Sequence, residues 1–185
     1  EEKIVTLLSD NDTTEVVTEL DTISIGIDSL KTYYAPVSNY GTAAFSVSQQ
    51  IYTKEEINKE SGAITSISFH NKTGNANNRT IVVYMSNTTQ EAYRDNKDWA
   101  LVNESDMVFN GEHKFGTDGE WTTITFDKPF VYTGGNIAIT TYDKSDNSLG
   151  YTAGYDDIFA ATPTDTLRGL YKTSTEKINV FNLEE

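Results

Sequence analysis

The sequence predicts an all-β fold, an antiparallel β-sandwich, on three observations. Short segments rich in Thr, Ile, Val, Tyr and Phe alternate apolar and polar residues with the period of two that half-buries a strand. Clusters of Gly, Asn and Asp separate these segments, as turns between antiparallel strands require. No pattern at helical spacing runs longer than about two turns, and no unit recurs at a fixed period, which disfavours propellers and solenoids. A chain of 185 residues suits a single domain with a sizeable core.

Residues 1–13 read as a linker or an edge strand, and residues 14–185 as the sandwich. The stretch 14–27 is β-prone, with Val17, Ile23, Ile25 and Ile27 spaced for a half-buried strand. Residues 33–41 read as an irregular crossing, because Pro36 lacks an amide donor and Gly41 admits positive φ. A strand over 44–52 follows. Thr53 and Glu56 then have the spacing of a capping box, which predicts one helical turn over 54–58.

In the next strand Ile64, Ser66, Ser68 and His70 share one face and Thr65, Ile67 and Phe69 the other, so Ile67 and Phe69 point to the core. Residues 79–86 form a nearly continuous apolar run, the mark of a central strand, with Ile81, Val83 and Met85 or the opposite register inward. The polar stretch 88–98 is an excursion whose one large hydrophobe is Tyr93. Strands are expected at 107–115, 121–126 and 137–142, and in the tail at 150–160, 167–171 and 178–181. That makes roughly ten strands, a number suited to two packed sheets.

Composition narrows the function. Twenty-eight acidic against 14 basic side chains give a formal charge of −14, whose field repels phosphate backbones and anionic head groups. Nucleic acid and membrane surfaces are therefore poor partners, and no apolar run is long enough for a membrane helix. The absence of cysteine removes disulfides, thiolate metal sites and a cysteine nucleophile. The opening Glu1-Glu2-Lys3 lacks a signal-peptide layout, so the sequence reads as a mature or trimmed chain.

Catalysis finds little support. His70 and His113 are the only histidines, and no nucleophile elbow, zinc helix or phosphate loop is present, so a non-enzymatic role is expected. Aromatic side chains offer platforms for a sugar ring. The candidates are Trp99, which follows the polar excursion, the set Tyr33, Tyr34 and Tyr40, and the pair Tyr151 and Tyr155, since tyrosine joins a stacking face to a hydroxyl. Trp121 reads instead as core packing. For calcium, Asp143, Asp146 and Asn147 in one turn and Asp156 and Asp157 in another supply the oxygens a hard cation needs, although such turns also end strands.

Six ordered segments carry a family resemblance: Ser48-Gln49-Gln50-Ile51-Tyr52, Ile64-Thr65-Ser66-Ile67-Ser68-Phe69, Asp98-Trp99, Val108-Phe109-Asn110-Gly111, Trp121-Thr122-Thr123-Ile124 and Pro129-Phe130-Val131-Tyr132-Thr133-Gly134. In this order they resemble the cleaved-adhesin-like, gingipain-adhesin-type domains of secreted and surface proteins of Bacteroidetes. The resemblance implies a jelly-roll sandwich, extracellular or at the outer-membrane surface, that forms one module of a multidomain chain. It implies a role in adhesion or binding, with a glycan or a host or partner protein as ligand and calcium held in loops. A structural spacer is the alternative, and a glycan-active enzyme ranks third.

Overall fold

The computed structural model describes residues 21–38, 44–74, 78–145 and 158–184. Expectations for residues 1–13 and for Val17 lie outside these. The described residues form nine strands, one α-helical turn and one 3-10 turn (Glu104–Asp106): β1 (Leu30–Thr32), β2 (Phe45–Tyr52), α1 (Lys54–Ile57), β3 (Gly62–Thr73), β4 (Asn78–Thr88), β5 (Met107–Lys114), β6 (Trp121–Tyr132), β7 (Asn136–Asp143), β8 (Ile158–Ala161) and β9 (Gly169–Ser174).

Two sheets result, ordered β1-β8-β3-β6 and β5-β4-β7-β2-β9. The pairs β1/β8, β2/β7, β3/β6 and β4/β5 are all antiparallel, so the first eight strands behave as one long hairpin rolled up on itself. That nested pairing, divided between two sheets, is the jelly roll. β9 extends the larger sheet beside β2.

The capping box forms as the sequence predicts. Thr53 Oγ1 accepts the Glu56 amide at 3.4 Å, the Thr53 amide donates to Glu56 Oε2 at 2.9 Å, and Asn58 ends the turn in the left-handed conformation with φ +49°.

Two cores hold the molecule. The first fills the sandwich, with Ile81, Val83 and Met85 of β4 and Ile137 and Ile139 of β7 facing Ile124, Phe126 and Phe130 of β6 and Phe159 of β8. The second lies on the other side of the larger sheet, where Val47, Ile51, Val82, Tyr84 and Leu170 are covered by Tyr93, Trp99 and Val102 of the excursion and by Val180 and Leu183 of the tail. β4 is thus buried on both faces, which explains its unbroken apolar run. Gln49, fully buried, ties the excursion down: its Oε1 accepts from Tyr93 OH at 3.0 Å and the Ala100 amide at 2.7 Å, and its Nε2 donates to Ala100 O at 3.0 Å and Thr140 Oγ1 at 2.8 Å.

Three expectations change. Residues 21–27 form no strand, and Ile23 and Ile27 are exposed. Gly26 turns the chain at φ +89°, and both the N–H and the C=O of Ile27 bond the Thr162 hydroxyl instead of a neighbouring strand. Residues 178–181 form a turn, in which Asn179 accepts the amides of Phe181 and Asn182. In β3, Ile64 joins Ile67 and Phe69 against the core because the pairing with β6 slips between Ile64 and Ser66. The partners jump from Phe130 to Thr125 there, leaving a bulge around Asp127, Lys128 and Pro129, and Pro129 has no amide to give a ladder.

Candidate functional site

Trp121 is the most exposed aromatic among the described residues, ahead of Tyr171 and Phe181, and strand parity puts it there. Ile124 and Phe126 of β6 turn into the sandwich, so Trp121, Thr123 and Thr125 stand on the outer face. Trp121 is 66 % exposed, which corrects the core role expected of it. A large apolar ring left in water forgoes about 2 kcal/mol of burial.

Across the sheet, β3 pairs His70 with Trp121, Ser68 with Thr123 and Ser66 with Thr125. The imidazole of His70 stacks on the indole, centroids 5.1 Å apart and planes 20° from parallel. His70 is itself fixed: Nδ1 lies 2.7 Å from Asp28 Oδ2 and Nε2 lies 3.2 Å from the Gly119 carbonyl oxygen. Lys72 Nζ meets the other oxygen of Asp28 at 2.5 Å. That hydrogen bond holds the Asp28 carboxyl below the usual carboxylate range, with His70 adding to the effect. The hydroxyls of Ser68 and Thr123 touch at 2.8 Å. Trp121 therefore stands at one end of an exposed hydroxyl-lined face, backed by a ring that two acceptors hold in place.

The predicted residues fall elsewhere. Trp99, 8 % exposed, is packed into the outer core, so its indole acts as a plug with no face open to a sugar. Tyr33 and Tyr34 are half-buried and come together with Tyr171, which the sequence reading missed. Tyr34 and Tyr171 stack at 4.0 Å and 12°, and Tyr33 meets Tyr34 edge-on at 6.5 Å. Each ring of the stack thus covers a face of the other. Tyr40, Tyr151 and Tyr155 lie outside the described residues, as do Asp146, Asn147, Asp156 and Asp157.

Asp143 is buried with both of its carboxylate oxygens already partnered. Its Oδ2 meets Arg79 Nη1 at 2.5 Å, and its Oδ1 accepts the Ser145 amide at 3.0 Å and hydroxyl at 2.5 Å, with Arg79 and Asp143 both buried. A guanidinium already supplies the positive charge that calcium would bring. Among the described residues no three His, Asp or Glu side chains gather as metal ligands.

The excursion also borders an open cleft of about 860 Å³, lined by polar groups that include Asn87, Gln90, Asn103 and Asp106. At its rim Arg94 clamps Asp98 through two nitrogens, at 3.0 and 2.5 Å, and holds that carboxyl down at about 2. Tyr93 and Trp99 are spent on the outer core, and no aromatic side chain lines this cleft.

The signal for Trp121 was present in the sequence. Its position, three residues before Ile124 and five before Phe126, fixes it opposite to both. Compared with family models, with curated proteins and with solved structures, the chain matches none, so its likeness to adhesin-type modules rests on the six segments quoted above.

Proposed function

We infer that this chain is a non-catalytic binding module of an exported or surface protein, and that it binds carbohydrate on the outer face of the four-stranded sheet. One observation carries the reading: an indole 66 % exposed, held against His70 beside a row of Ser and Thr hydroxyls. The apolar C–H face of a pyranose ring packs on an indole, and hydroxyls bond the sugar's own hydroxyls. Thr on an outer strand face is an ordinary β-former, whereas a large aromatic ring left 66 % exposed gives up the burial that normally holds it. The adhesin-type segments support placement outside the cell within a multidomain chain. Calcium keeps Asp146, Asn147, Asp156 and Asp157 as its candidate ligands.

The spacer reading draws on one observation of its own, the absence of any aromatic side chain from the lining of the cleft beside the excursion. A glycan array probed with the wild type and with Trp121→Ala separates the two. The carbohydrate reading expects a glycan that the wild type holds and the variant holds at least about tenfold more weakly, with stability changed by no more than about 0.5 kcal/mol. Binding that survives Trp121→Ala overturns this site, and a blank array with folded protein favours the spacer.

A further inference from the structure

We propose that the ligand of this face is an extended, uncharged oligosaccharide lying along β3 and β6, and not a single terminal sugar. The inference rests on the carbohydrate reading and deepens it. Three cross-strand pairs in succession present ligand-competent groups on the same outer face: His70 with Trp121, Ser68 with Thr123 and Ser66 with Thr125. Trp121, Ser66, Ser68, Thr123 and Thr125 are all exposed.

Length follows from strand geometry. Trp121 to Thr125 spans four residue steps, about 13 Å at the usual rise, which is longer than one pyranose ring. The strip has a stacking platform at one end only, so one ring sits on the indole and its neighbours run over the hydroxyls. Beyond Thr125 the slip in pairing between Ile64 and Ser66 breaks the regular face and sets the end of the strip. Nothing in a single-sugar pocket needs such a run.

Neutrality follows from charge. At the margin Lys72 is paired with Asp28, and the His70 ring bonds the other oxygen of the same carboxylate, which leaves no unpaired cation among them to hold a carboxylate or sulfate. The −14 charge of the chain repels anionic polymers as well. Uncharged hydroxyl-rich chains are the class that suits a hydroxyl-lined face of this kind.

Isothermal titration with β-1,4-linked glucose and mannose oligomers, from monosaccharide to hexasaccharide, tests the inference, with oligogalacturonates as the anionic counterpart. Affinity should climb at least about tenfold from the monosaccharide to the trisaccharide in a neutral series and then level off. The pair Ser68→Ala and Thr123→Val should weaken the longer oligomers by a larger factor than the monosaccharide. Equal affinity for monosaccharide and hexasaccharide, lost in Trp121→Ala, overturns the extended ligand and leaves carbohydrate binding standing. Tighter binding of oligogalacturonates overturns neutrality. Failure of every series to bind, with the thermal melt intact, overturns the inference together with the reading beneath it.

Discussion

Arg79 and Asp143 meet at 2.5 Å between β4 and β7 with about 5 % of each side chain exposed. Removing one partner strands a charge in the interior, so Arg79→Met should cost about 3–5 kcal/mol in urea unfolding, and adding Asp143→Leu should recover much of that loss. If Arg79→Met unfolds like the wild type, the pair does not hold these strands. His113 is the residue-scale source of pH sensitivity. Its ring lies half-buried, edge-on to Phe109 and Phe115, with Nε2 finding no partner among the described residues, and burial lowers its pKa from 6.5. The unfolded chain takes up a proton below about 6.5 before the folded one does, so stability from the neutral ring is present above that pH and lost as pH falls through it. His113→Phe should remove this slope, so the wild type loses stability relative to the variant as pH drops from 7.5 to 5.5, read by urea titration; parallel curves would contradict it. Both residues are visible in the sequence, but their partners are not. Arg79 finds Asp143 only through the β4–β7 register, which joins positions far apart in the chain.

At the scale of elements, the sequence marks most strands and the capping box because those signals are local. Period two, a turn cluster and a Thr-x-x-Glu spacing are each read within a few residues. The bulge of β6 is harder, since Pro129 signals a break but not which neighbours slip; the consequence is that Ile64 turns inward, against simple alternation from Ile67. The outer core was hidden for a different reason. Nothing in the polar excursion announces that Tyr93 and Trp99 fold back over β2 and β4; that depends on Gln49, a buried amide with four hydrogen bonds. Gln49→Leu leaves the Ala100 amide and carbonyl and the Tyr93 hydroxyl short of partners, at about 1–3 kcal/mol for a stranded group. The variant should lose about 3 kcal/mol and show faster hydrogen exchange over residues 93–102 than over β6. Uniform acceleration across the molecule would instead mean that Gln49 supports the fold as a whole.

For the molecule as a whole, rolling one long hairpin into two sheets leaves the smaller sheet with an outer face that neither the excursion nor the tail covers among the described residues. The larger sheet has both faces packed, the smaller one its inner face, and the solvent-facing tryptophan stands on the uncovered side. The sandwich class was legible from alternation and its jelly-roll wiring from the order of six segments. The cross-strand grouping on the outer face was not, because it depends on the β3–β6 register, which brings His70, Ser68 and Ser66 beside Trp121, Thr123 and Thr125. The central claim is that this face binds carbohydrate, and the two tryptophans of the chain report on it separately. A proton–nitrogen correlation spectrum, recorded during titration with a neutral β-1,4-linked oligosaccharide, resolves their indole N–H signals. The signal of Trp121 should shift together with the amides of Ser68, His70 and Thr123 while that of buried Trp99 stays fixed. Shifts confined to Trp99 and the end cleft, or none at Trp121 at saturating ligand, would contradict the claim.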